Sequence, residues 1–173
     1  MVKKYFSLIL IVLSFSSFAQ GETTVFDIAR TGTVEQITSL FKQNPKIVNA
    51  TNDTGYSPLI LACYRGNIEV AKFLIKNGAD VNANSSMGSP LMAAVVKGNI
   101  EVVNLLLEKR ADVNVTDANG ITALIYAVQF RNAEIVKILI DHKADKTHVD
   151  KEGKTAFEYA VFTGNESIIN LLK

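Results

Sequence analysis

One stretch of this chain comes back at a nearly fixed interval, and that recurrence limits the fold more than any other feature. GYSPLILACYRGNIEVAKFLIKNGADVNA, from Gly55 to Ala83, returns as GSPLMAAVVKGNIEVVNLLLEKRADVNV from Gly88 to Val115. It returns again as GITALIYAVQFRNAEIVKILIDHKADKTHV from Gly120 to Val149, and a shortened copy runs from Gly153 to Lys173. Gly55 to Gly88 and Gly120 to Gly153 are each 33 residues, while Gly88 to Gly120 is 32. A period of that length means a stack of supersecondary units, each burying its apolar face against the next.

The local chemistry of each copy predicts two helices. Ser57-Pro58 and Ser89-Pro90 supply a hydroxyl at the N-cap and a proline at the first helical position. Gly66, Gly98 and Gly164 stand where that helix must stop and turn back in a left-handed conformation. A second helix is predicted over 69–76, 101–109, 134–141 and 166–172, opening on a glutamate that complements the helix dipole. Asn52-Asp53-Thr54-Gly55 and Asp117-Ala118-Asn119-Gly120 then read as hairpin tips with little regular strand. Arg110, Arg131 and Lys143 replace glycine at turn positions, so left-handed backbone is expected there at some cost. The stretch from Asn82 to Pro90 is one residue shorter than its counterparts, which predicts a differently shaped tip around Ser86-Met87.

Gly55, Ser57-Pro58-Leu59, Ala62, Gly66-Asn67, Glu69-Val70, Leu74-Ile75 and Gly78-Ala79-Asp80-Val81-Asn82 together resemble the ankyrin repeat. The resemblance covers about Val25 to Lys173. It implies an all-α solenoid of helix–turn–helix units with β-hairpin-like loops, about five repeats including terminal caps. The units fall at 25–49, 50–82, 83–114, 115–149 and 150–173. The first lacks the Ser/Thr-Pro-Leu start and the Gly-Ala-Asp end, as a capping unit should. One departure is the family's helix-opening histidine, whose place is taken by Ile60, Met92, Ile125 and Glu158.

Residues 1–19 are a different kind of sequence. Lys3 and Lys4 precede an apolar run from Tyr5 to Phe18, and Ser17-Phe18-Ala19 carries small residues where a signal peptidase cuts. A removable signal peptide is expected, followed by a loose lead-in over 20–24. The run is broken by Ser14, Ser16 and Ser17 and is short for a membrane span, although retention as a tether stays open. The leader looks like those of Gram-negative bacteria, so a periplasmic or secreted location follows, with membrane contact only during export.

Without Lys3 and Lys4, 16 basic side chains face 17 acidic ones, a balance that argues against a nucleic-acid partner. The remaining 154 residues suit one domain, expected to be a monomer. Cys63 is the only cysteine, so no internal disulfide is possible. It aligns with Val95, Val128 and Val161 on the packed side of a helix, which reads as a small buried apolar residue.

No phosphate loop, dinucleotide fingerprint or zinc-helix motif occurs, so no catalytic residue, metal or cofactor is assigned. His142 and His148 share one loop region with Asp141, Asp145 and Asp150, but at no ligand spacing. A small-ligand or metal receptor, or an enzyme using those histidines or Cys63, stays open as the alternative. Asn-x-Ser/Thr occurs at Asn49, Asn52, Asn84, Asn114 and Asn165, several of them pattern residues better explained by structure than by glycosylation.

What could carry function is a surface that binds another protein. In the arrays this chain resembles, partners sit on hairpin tips and on the free side of the first helices. At matching positions the helix set is Tyr64, Arg65, Val96, Lys97, Gln129, Phe130, Phe162 and Thr163. The hairpin set is Asp53, Thr54, Tyr56, Ser86, Met87, Asn119, Ile121 and Lys154, with Ala118, Lys151 and Glu152 beside them. Tyr64, Phe130 and Phe162 would form an exposed aromatic row flanked by Arg65 and Lys97. The competing reading has these rings packed against the adjacent helix pair.

Overall fold

A computed structural model describes residues 23–86 and 88–173; the expected signal peptide, residues 20–22 of the lead-in and Met87 lie outside the described residues. The described residues form ten α-helices in five pairs. The first helix of each pair is α1 (Val25–Thr31), α3 (Pro58–Arg65), α5 (Pro90–Val96), α7 (Ala123–Gln129) or α9 (Ala156–Thr163). The second is α2 (Val34–Gln43), α4 (Ile68–Lys76), α6 (Ile100–Glu108), α8 (Ala133–Asp141) or α10 (Glu166–Leu172). A short 3-10 helix, Pro45–Asn49, closes the first unit.

Side chains start these helices where the sequence places them. The hydroxyls of Ser57, Ser89 and Thr122 accept from the backbone N–H of Ile60, Met92 and Ile125, three residues on. Thr155 does the same for Glu158, whose carboxylate returns a bond to the Thr155 N–H and completes a capping box. Thr24 forms a capping box with Asp27 and fixes the start of α1.

First helices pack on first helices, and second on second, so the core is a pair of layers. The column Leu59, Leu91, Leu124 and the column Leu74, Leu106, Leu139 are fully buried. Each such side chain stabilises the stack by roughly 1.5–3 kcal/mol. Ile60, Met92 and Ile125 are buried too, so apolar packing fills the place of the absent histidine.

Between the layers the chain turns through left-handed backbone at Gly66, Gly98 and Gly164, with φ of 73°, 68° and 65°. Arg110, Arg131 and Lys143 hold the same conformation at 65°, 56° and 68°, as their positions predict. Gly32 behaves differently. Its backbone is extended, and a Cβ there would sit 2.6 Å from the Ile28 Cα, so close approach requires the glycine.

A ladder of asparagines ties one unit to the next. Asn49 Oδ1 accepts from the Asp80 N–H at 2.7 Å, and its Nδ2 donates to the Gly78 carbonyl at 3.1 Å. Asn82 repeats this with Asp112 and Arg110, and Asn114 with Asp145 and Lys143. Asn67 reaches back instead, donating to the Gly32 carbonyl at 2.9 Å and so tying the first unit to the second.

The hairpin region contains only isolated bridges among the described residues: Ser85 with Gly88, Thr116 with Thr122, and Val149 with Thr155. The first of these bridges spans fewer residues than the other two. Neighbouring tips join edge to edge, the Ala118 N–H donating to Ser86 and the Lys151 N–H to Asn119.

The last unit corrects one expectation. A terminal cap should turn a polar side outward, but Phe157 and Val161 are 36% and 53% exposed. They occupy the columns of Leu124 and Val128, and no described element packs beyond them. Val161 is therefore not on a packed side, unlike Cys63, Val95 and Val128.

Candidate functional site

The free side of the first helices holds a depression of about 500 Å³ that crosses four units. Arg30 of α1 stands at one end and Phe130, the C-cap of α7, at the other. Ile60, Leu61, Met92, Ala93 and Val96 line it from α3 and α5, with Tyr64 and Arg65 beside them. Tyr56 enters from the hairpin and Tyr126 from α7.

The helical geometry explains the composition. Ile60 and Met92 lie one turn into their helices, while Tyr64 and Val96 follow four residues later on the same face. Four aromatic rings thus enclose an aliphatic floor. The residues named first in the sequence reading divide accordingly. Tyr64, Arg65, Val96, Phe130 and Tyr56 come together here, although Tyr56 was expected only at a hairpin tip. Tyr64 and Phe130 are 42% and 55% exposed, so their rings are not core. Phe162 is 90% exposed on α9, away from the depression.

The remaining candidates are surface groups that do not line the depression. Gln129 and Ile121 are half-buried, while Asp53, Ser86 and Asn119 are exposed at the tips. Thr54 is held by Asn52 Oδ1, and the Thr163 hydroxyl donates to the Ala160 carbonyl in its own helix. Lys154 pairs with Glu152 at 2.7 Å and stands 5.5 Å from the Tyr159 ring centre.

The electrostatics of the depression are one-sided. Its charged lining residues, Arg30 and Arg65, are both cations. Arg30 meets Asp27 at 3.3 Å, and the Thr24 hydrogen bonds followed by Arg30 keep that carboxyl below its ordinary range. Lys97 Nζ stands 5.8 Å from the centre of the Tyr64 ring, a cation–π distance. Among the described residues neither Arg65 nor Lys97 has a carboxylate partner.

At the hairpin end, the Tyr126 hydroxyl donates to Asp117 Oδ2 at 2.7 Å. Burial, then the bond to Asp117, pushes this phenol up to about 12. The Tyr159 hydroxyl meets Asp150 Oδ2 at 2.6 Å in the next unit. Tyr126, Arg30, Ile60, Leu61, Met92 and Ala93 also line the depression, although the sequence did not single them out as site residues. A signal for the first existed, since Tyr126 and Tyr159 each stand nine residues after an aspartate, one repeat apart.

His142 Nδ1 lies 2.9 Å from the Ile138 carbonyl and His148 Nε2 lies 2.7 Å from that of Gly120, each on its own backbone group. No group of three or more His, Cys, Asp or Glu converges among the described residues. Cys63 is buried, and burial pushes its thiol up to about 12, far from a reactive thiolate.

Paired helices stacked in two layers, with hairpin tips joined along one edge, define a repeat solenoid. Residues 25–117 and 91–173 each match the family described as "Ankyrin repeats (3 copies)", and the chain belongs to that family. Ankyrin arrays are generally protein–protein interaction modules and typically non-enzymatic. Over 64 residues the chain is 38% identical to alpha-latrocrustotoxin-Lt1a of Latrodectus tredecimguttatus. That match covers 37% of this chain and 4% of the toxin's length.

Proposed function

We propose that this chain binds another protein without catalysis, as a monomer, through the groove along its first helices with the hairpin tips as its margin. The observation that carries the reading is the aromatic depression spanning four units, with Tyr64 and Phe130 exposed at its rim. Exposed apolar surface gathered in one depression is a mark of an interaction site, and aromatic and arginine side chains dominate binding hot spots. The location proposed is the periplasm or the extracellular space, on the strength of the leader in residues 1–19.

The test is affinity capture from an envelope extract of the native host, with the Tyr64→Ala/Phe130→Ala variant alongside. Both rings are partly solvated, so the variant should keep the wild-type circular dichroism spectrum and melting profile. A protein retained by the wild type, lost by this folded variant and re-bound after purification supports the reading. Equal retention by both baits places binding elsewhere on the array, and no retention by either sinks the proposal.

A further inference from the structure

We propose that the groove takes a linear segment of its partner in which a bulky apolar side chain lies close to a carboxylate. This rests on the partner-binding reading above and specifies its chemistry. The volume comes first: about 500 Å³ falls within the range of a specific binding pocket, roughly 300–1,000 Å³. Its floor of Ile60, Met92 and Val96 offers an aliphatic surface to one buried side chain, and the rings of Tyr64 and Phe130 wall it.

Charge then sets what must accompany that side chain. The charged groups of the lining are the guanidiniums of Arg30 and Arg65, and Lys97 adds a third cation across the Tyr64 ring. Asp27 meets Arg30 from its own helix, and Asp117 is buried and receives the Tyr126 hydroxyl. A basic segment would be repelled by Arg65 and Lys97, which have no carboxylate partner among the described residues. A wholly apolar one would cover the arginine rim and leave its donors unpaired, which is costly. A carboxylate satisfies them, and guanidinium is the side chain best shaped to receive it.

The groove also has direction. Arg30 and Arg65 lie in the last turns of α1 and α3, and Lys97 is the C-cap of α5. The three cations therefore gather at the C-terminal ends of the first helices, while the Tyr126–Asp117 pair marks the hairpin end. Attraction to the helix dipole accounts for a cation in a last turn. It does not turn the Lys97 ammonium over a groove-lining ring. The apolar side chain of the partner would enter the middle of the slot, with its carboxylate at the helix-end rim.

The test pans a phage-displayed random dodecapeptide library against the full chain, with the Tyr64→Ala/Phe130→Ala variant as the subtraction. Enriched sequences should pair Phe, Leu, Met or Trp with Asp or Glu within a few positions. Labelled copies of those peptides should bind about tenfold or more weakly to Arg65→Glu, and more weakly as salt rises. Lys76→Glu, the same charge change in the second-helix layer, should leave binding unchanged.

Apolar peptides with neutral or basic flanks, lost in the ring variant but unmoved by Arg65→Glu, would overturn the acidic requirement while leaving the groove as the partner site. Equal weakening by Lys76→Glu would reduce the effect to net charge and overturn it as well. Displacement by dodecanoate as effective as that by unlabelled peptide would reassign the slot to a small amphiphile. A library yielding nothing over the ring variant also overturns this inference, and host capture then decides the broader reading separately.

Discussion

The Tyr126 hydroxyl donates to Asp117 Oδ2 at 2.7 Å, and this bond staples the hairpin of the fourth unit to the helix it introduces. Asp117 is buried, and its Oδ1 accepts from the N–H groups of Asn119 and Ile121. One carboxylate thus organises the tip and receives the phenol. Tyr126→Phe removes a single donor while keeping the ring. A bond to a charged acceptor at a partly solvated site suggests a loss of about 1 kcal/mol. Urea unfolding should show that loss as a lower midpoint with an unchanged slope.

The same phenols predict the alkaline limb of stability. Tyr126 is raised to about 12 by burial and then Asp117, and Tyr159 to about 12 by its bond to Asp150 and then burial. In the unfolded chain both titrate near their ordinary value, about 10. Between the two values the unfolded state has lost protons that the folded state keeps, so stability falls as pH rises. The contribution is fully present below about 10 and is gone above about 12. Ultraviolet titration should show Tyr126 and Tyr159 ionising late in the folded protein. Tyr126→Phe/Tyr159→Phe should flatten the decline of melting temperature over that window. An equally steep decline in the double variant would assign it to other groups.

Arg110, Arg131 and Lys143 keep left-handed backbone where sister units use glycine. A side chain in that conformation costs roughly 1–2 kcal/mol. Glycine removes the cost but gives the unfolded chain more freedom, a loss of roughly 0.5–1 kcal/mol. The first effect outweighs the second. Arg110→Gly and Lys143→Gly should each stabilise by about 0.5 kcal/mol, visible as a raised melting temperature. Gly66→Arg, the reverse change, should lower it.

How much of this was legible depends on whether a feature is local. The hydroxyl caps at Ser57 and Ser89 and the left-handed turn at Arg131 are set by neighbours in sequence, and all stand where the repeat puts them. The pattern left the exposure of Tyr64 and Phe130 as one of two readings, and their exposure of 42% and 55% shows that the adjacent helices cover only part of each ring. Arg30 was hidden because the first unit departs from the pattern, and its place in the groove comes from α1 packing on α3. Val161 misled for the opposite reason. Its column is buried in three sister units, but burial is a property of what stacks next, which a repeat alignment does not contain.

That dependence on stacking yields the sharpest contrast between equivalent residues. Leu124 and Phe157 both stand two residues after a threonine N-cap, in α7 and α9. Leu124 is wholly buried between neighbouring units, whereas Phe157 keeps 36% of its surface in water. Leu124→Ala removes enclosed methyl groups and leaves a cavity, a loss of roughly 2–5 kcal/mol. Phe157→Ala deletes the larger side chain, yet water fills the space and little packing is lost. Its cost should be about 1 kcal/mol, near the centre of the range for point substitutions and below the 3–5 kcal/mol of a core phenylalanine. Denaturant midpoints of the two variants would order them. A Phe157→Ala loss as large as that of Leu124→Ala would mean that something covers the end of the stack in solution, and the melting temperature would then depend on protein concentration if that cover is a second copy.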